Sequence, residues 1–106
     1  MDFPSPDDPA LAPVWENYVT AQGAQAALRK IPDYVYALGV QVDGNDVRLV
    51  VQQGPDAPSA DERIDDTLDT LSDLLGPRVT VALRVDVRPR VALSPFDGVR
   101  WFFAAP

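Results

Sequence analysis

Residues 34–52 read YVYALGVQVDGNDVRLVVQ, and this stretch decides the fold. Tyr34, Tyr36, Leu38, Val40 and Val42 alternate with Val35, Ala37, Gly39, Gln41 and Asp43. Beyond Gly44-Asn45, Val47, Leu49 and Val51 alternate with Asp46, Arg48, Val50 and Gln52. Alternation of period two over this length is the signature of β-strands. A two-residue Gly-Asn connection is the signal of a type II′ hairpin, in which glycine supplies the positive φ of the first loop position. The spacing sets Val42 opposite Val47, Val40 opposite Leu49 and Leu38 opposite Val51. Every apolar partner then falls on one face, and a slip of one residue would turn the whole set to water, which fixes the register.

Upstream, Leu11, Trp15, Tyr18, Val19 and Ala26 fall on one stripe at helical spacing and predict a helix from Leu11 or Pro13 to Lys30. Gly23 weakens it by about 1 kcal/mol, Arg29 and Lys30 suit the C-terminal end of the dipole, and Pro32 stops it. Residues 1–9, with Pro4, Pro6 and Pro9, read as a flexible arm ahead of a single domain over 10–106.

Downstream, Gly54-Pro55-Asp56-Ala57-Pro58 is a linker, and Ser59 with Glu62 predicts a capping box. Ile64, Leu68, Leu71 and Leu75 make the narrow apolar stripe of a second helix, ended by Gly76 and Pro77. In the third strand Val79, Val81, Leu83, Val85 and Val87 are expected inward and Thr80, Ala82, Arg84, Asp86 and Arg88 outward. Pro89 confines this strand to an edge or a bulge, with Val91 and Leu93 keeping the parity of a resumed strand. After the turn at 94–98, Val99, Trp101 and Phe103 are expected inward, with Arg100 and Phe102 outward. The order α-β-β-α-β-β predicts an α+β two-layer sandwich, a four-stranded and mainly antiparallel sheet with both helices on one face.

The chain has 9 basic and 16 acidic residues, a net charge of −7, and neither histidine nor cysteine. Disulfides and thiolate metal sites are thereby excluded, and the commonest general base and metal ligand are missing. The acidic balance argues against nucleic acid as a partner. No apolar run has the length of a bilayer span, and Met1-Asp2-Phe3-Pro4 lacks the basic and apolar regions of a signal peptide, so a cytoplasmic location is expected. Arginine outnumbers lysine, which occurs only as Lys30, and Ala, Val, Asp and Pro are abundant, as in a GC-rich bacterial genome. No phosphate loop, dinucleotide fingerprint or nucleophile elbow is present.

Two groups of residues are candidates for contact. The second helix carries Asp61, Glu62, Asp65, Asp66, Asp69 and Asp73 against Arg63 alone. Like charges at i, i+4 repel, and Asp69 and Asp73 approach the helix end where the dipole disfavours anions. A helix shaped for stability alone would carry bases there, so Asp61, Asp65, Asp66, Asp69 and Asp73 are assigned to a protein partner with a basic surface. A merely solvated face is the plainer alternative. Within this run, Asp65-Asp66-Thr67-Leu68-Asp69 has the spacing with which some prenyl-transferring enzymes hold magnesium and diphosphate. A chain of 106 residues cannot build the helical barrel that such a motif serves, so no metal, cofactor or catalytic activity is expected. The second group is Arg48, Arg84, Arg88, Arg100 and Phe102 on the outer sheet face, where arginine beside an aromatic suits anions, or the sheet itself meets a second copy. The expected function is a non-catalytic protein-binding module (an inhibitor, immunity protein or chaperone-like adaptor), with a small anionic-ligand-binding domain as the alternative.

Overall fold

The computed structural model describes residues 12–58, 61–93 and 98–105. The chain runs α1 (Ala12–Ala27), β1 (Val35–Asp43), β2 (Asp46–Gln53), α2 (Glu62–Leu75), β3 (Thr80–Val87) and β4 (Arg100–Ala104). β1 and β2 pair antiparallel with Val42 on Val47, Val40 on Leu49 and Leu38 on Val51, the register that the alternation predicts. Gly44 has a φ of 59° while Asn45 keeps a negative φ, the signs of a type II′ rather than a type I′ turn. The Trp15 indole N–H donates to the Gly44 carbonyl at 2.9 Å and ties α1 to this turn.

The strand order is β3-β2-β1-β4. The sheet is mixed rather than mainly antiparallel, because β3 runs parallel to β2 from Asp46 beside Thr80 to Gln53 beside Val87. α2 is the reason. A helix laid across the sheet carries the chain back to the end where β2 began, so the next strand runs in the same direction.

Both helices pack on one side of the sheet. Trp15, Val19 and Ala26 of α1 and Leu71 of α2 share a core with Val40, Val47 and Leu49. Ala27, Val35, Leu38, Val51 and Ile64 continue it. α1 ends at Ala27, short of the predicted Lys30, because Arg29 takes a left-handed φ of 65° and the Lys30 N–H turns back to the Ala27 carbonyl at 2.9 Å. α2 begins at Glu62, and its cap is Asp61, whose extended backbone lets the carboxylate accept the Arg63 N–H at 2.8 Å. Ser59, the predicted cap, lies outside the described residues, as do Leu11, the arm over 1–9 and the turn residues 94–97.

β4 departs from the predicted parity. The pairing of β1 with β4 shifts between Leu38, which opposes Phe103, and Gly39, which opposes Trp101. This bulge adds one residue on the β4 strand, so Phe102 and Phe103 both turn to the helices. Phe102 packs into the core. Arg100 also lies on the helix side, paired to Glu16 at 3.0 Å and donating to Asn17. Trp101 instead crosses Gly39, where an added Cβ would stand 3.0 Å from the indole. Trp101 is therefore not an inward anchor, and the expectation that Arg100 and Phe102 face outward is reversed.

Residues 91–93 do not resume a strand. The buried Gln52 amide donates to the Ala92 carbonyl at 2.7 Å and accepts the Ala92 N–H at 2.6 Å. This pair mimics one rung of a ladder and holds the segment after β3 over the outer face of β2.

Gly23 faces Phe102 so closely that a Cβ would sit 2.9 Å from the ring and 3.1 Å from Val40. Gly23→Ala gains helix propensity but forces the ring to move, and the clash dominates. A net loss of about 1–2 kcal/mol is expected. Adding Phe102→Leu should remove the clash, so urea unfolding of the double variant should show less than the summed loss.

Candidate functional site

The acidic residues of α2 divide by their surroundings. Asp61 is engaged as the cap and by Arg63, whose guanidinium lies 3.0 Å from its carboxylate. That hydrogen bond, joined by the Arg63 backbone N–H, lowers the Asp61 pKa from an ordinary 3.8 to about 2. Burial and the hydrogen bond to Asp61 push the Tyr34 hydroxyl up to about 12. Asp61, Arg63 and Tyr34 thus form a lock on the start of α2, and Asp61 has a structural role. Asp66 pairs with Lys30 at 3.0 Å across the junction with α1, where Lys30 also donates to the Thr70 hydroxyl at 3.0 Å. Glu62, Asp65, Asp69 and Asp73 stay exposed.

Beside this helix lies a feature that the alternation did not disclose. β3 has the predicted parity, but α2, which meets it and packs with Val81 against the core, covers its inward row only in part. Leu49 and Val51 on β2 are 0% and 1% exposed, whereas Leu83 and Val85, their partners in register on β3, are 38% and 42% exposed. Val87 is 57% exposed. The buried stripe of α2, Ile64, Thr67 and Leu71, is narrow, and beyond Val81 it leaves the inward row of β3 partly open. A groove of about 60 Å³ opens between helix and strand, with Ile64, Leu83 and Val85 in its walls and Asp65 at its rim. Its signal in the sequence was Pro89, which marks β3 as an edge strand.

The arginine group does not assemble as expected. Arg48 and Arg84 do converge on the outer face, donating to Gln41 Oε1 at 3.5 and 3.4 Å. Arg84 also holds Asp86 through two hydrogen bonds of 3.1 Å. A hollow of about 650 Å³ beside Arg48 is bordered by Asp43 and Asp46. Arg88 lies past the end of β3, exposed, with its N–H on the Gln53 carbonyl. Arg100 and Phe102 sit on the other face of the sheet, for the reason given by the bulge.

Among the described residues, no three acidic side chains come together in a way that could hold a metal ion, and no helix is long and apolar enough to cross a membrane. No family model, curated protein or solved structure matches the chain.

The lowered pKa of Asp61 fixes a sign. A depressed carboxyl contributes stability that is present above its unfolded value and lost as pH falls through its folded value. Asp61→Asn keeps a side chain able to cap but discards the charge. Its melting temperature should fall below that of the parent at neutral pH, and the two should converge as pH drops from about 4 to about 2. A gap that persists at the acid end would mean that the loss is not electrostatic.

Proposed function

We propose that the chain is a non-catalytic protein-binding module of a bacterial cytoplasm, of the inhibitor, immunity or adaptor kind, and that its partner presents a basic surface with apolar side chains. The observation that carries this reading is the exposed apolar row Leu83, Val85 and Val87 beside a helix whose Asp65, Asp69 and Asp73 are exposed. Exposed apolar surface rimmed by charge is the composition of a contact site. The acidic ridge steers a basic partner toward it. The alternative, an anion held on the arginine-bearing face, retains Arg48 and Arg84 alone, and Asp43 and Asp46 at the neighbouring hollow repel an anion.

The test begins with capture of partners on the immobilised chain and continues with association kinetics of the captured protein. Asp65→Asn, Asp69→Asn and Asp73→Asn together should leave the fold as stable or slightly more stable, since repulsion and an unfavourable dipole contact are removed. They should slow association by about tenfold at low salt and flatten its salt dependence. Val85→Asp should instead speed dissociation. Kinetics unchanged in both variants would refute the surface.

A further inference from the structure

We infer that β3 is a self-pairing edge, and that two copies of this chain join through it about a two-fold axis at Val85, extending the sheet across both. The inference goes beyond the partner reading, because strand pairing uses the backbone edge of β3 and leaves its apolar side chains on the helix side.

The two edges of the sheet differ. β4 is short, at 5 residues, and bulged against β1, two ways in which natural sheets blunt an edge. β3 has 8 residues in unbroken register with β2, no proline within it, and no strand on its other side among the described residues. Its hydrogen-bonding phase is set. Thr80 N–H goes to the Asn45 carbonyl and Arg88 N–H to the Gln53 carbonyl, both at 2.9 Å. Even-numbered residues therefore bond to β2, and strand alternation turns the N–H and C=O of Val81, Leu83, Val85 and Val87 to the open edge. Three of these four residues, Leu83, Val85 and Val87, also have exposed apolar side chains.

Charge then selects what fits. Arg84 and Asp86 lie on the outer face, in register with Val50 and Gln52. In an antiparallel pair centred on Val85, Arg84 of each copy stands opposite Asp86 of the other. With the existing Arg84–Asp86 pair of each chain, the four groups form a square of alternating sign. Centring on Arg84 would set that arginine against itself, and centring on Asp86 would set aspartate against aspartate, each destabilising. Centring on Leu83 leaves both charges without an opposite. In the Val85 register, Leu83 opposes Val87 of the second copy, Val85 opposes itself, and each pair exchanges two N–H···O bonds.

The strip is also where an acidic chain opposes its own association least. Net charge is −7, but residues 77–106 hold five arginines against two aspartates. The occupant is therefore a second copy rather than a basic strand, which would meet Arg84 and Arg88 at this edge.

The absence of cysteine from the chain makes the register directly measurable. Opposed residues in a hydrogen-bonded pair have Cα atoms about 5.5 Å apart, within reach of a disulfide. Val85→Cys should give a covalent dimer under mild oxidation. Leu83→Cys alone should not, because its copies lie about 13 Å apart along the ladder. Leu83→Cys mixed with Val87→Cys should cross-link. In sedimentation or light scattering of the cysteine-free chain, Arg84→Asp should weaken dimerisation by about tenfold, and the exchange Arg84→Asp with Asp86→Arg should restore it. All these positions are exposed or on the outer face, and circular dichroism checks that each variant is folded. A chain that stays monomeric up to about 200 μM, where even a weak dimer would show, overturns the inference. So does equal cross-linking of Val85→Cys and Leu83→Cys, or a charge exchange that restores nothing.

Discussion

The constraint on which this structure depends is the register of the central hairpin. With Val42 on Val47, Val40 on Leu49 and Leu38 on Val51, one face of two strands becomes a continuous apolar surface, and both helices have a single place to bury their stripes. The turn that sets this register is itself held from the helix layer by Trp15. β3 and β4 are then added at opposite sides of a pair that is already defined, and their orientations follow from their connections. α2 returns the chain to the start of β2, so β3 is parallel. Residues just after β3 are pinned over the outer face at Gln52, and β4 takes the far edge of the sheet.

Local pattern made much of this legible. The hairpin, its turn type, the narrow stripe of α2 and its end at Gly76 all rest on interactions within a few residues. The parallel direction of β3 was also present in the order of elements, since a strand, a helix and a strand on one sheet require it. Counting paired strands hid it. The parity of β4 was not legible. A bulge shifts one residue, and what places it is the fit of two aromatic rings against α1, above all Phe102 against Gly23. Gly23, a weakness when the helix is read alone, is the position that lets α1 approach the sheet.

The candidate site shows the same division. The acids of α2 were readable as charge, but the roles within the group depend on neighbours distant in sequence. Asp66 faces Lys30, and Asp61 faces Tyr34. Arginine spacing on alternating strands suggested one basic face, and the bulge separated it. The exposed row on β3 had only Pro89 as a local signal of an edge strand, since its alternation is identical to that of a buried strand. Exposure there is a matter of how far one narrow helix can reach.

That limit of coverage connects the fold to its surfaces. A helix layer covers strands at a spacing of about 10 Å while strands are spaced at about 4.8 Å, so two helices shelter about four strands only when they are centred on the sheet. Here α1 packs against β1 and β4, and α2 meets β3, while its buried Leu71 and Ile64 share the core with Leu49 and Val51 of β2. The deficit falls entirely on β3. A row of valine and leucine left there by chance would be an aggregation hazard, and natural edges usually carry a charge on the inward face or a bulge to prevent it. β3 has neither, and its charges sit on the other face in an order that complements itself. Under the self-pairing proposed above, the half-covered strand is a surface for a second copy rather than an imperfectly closed core.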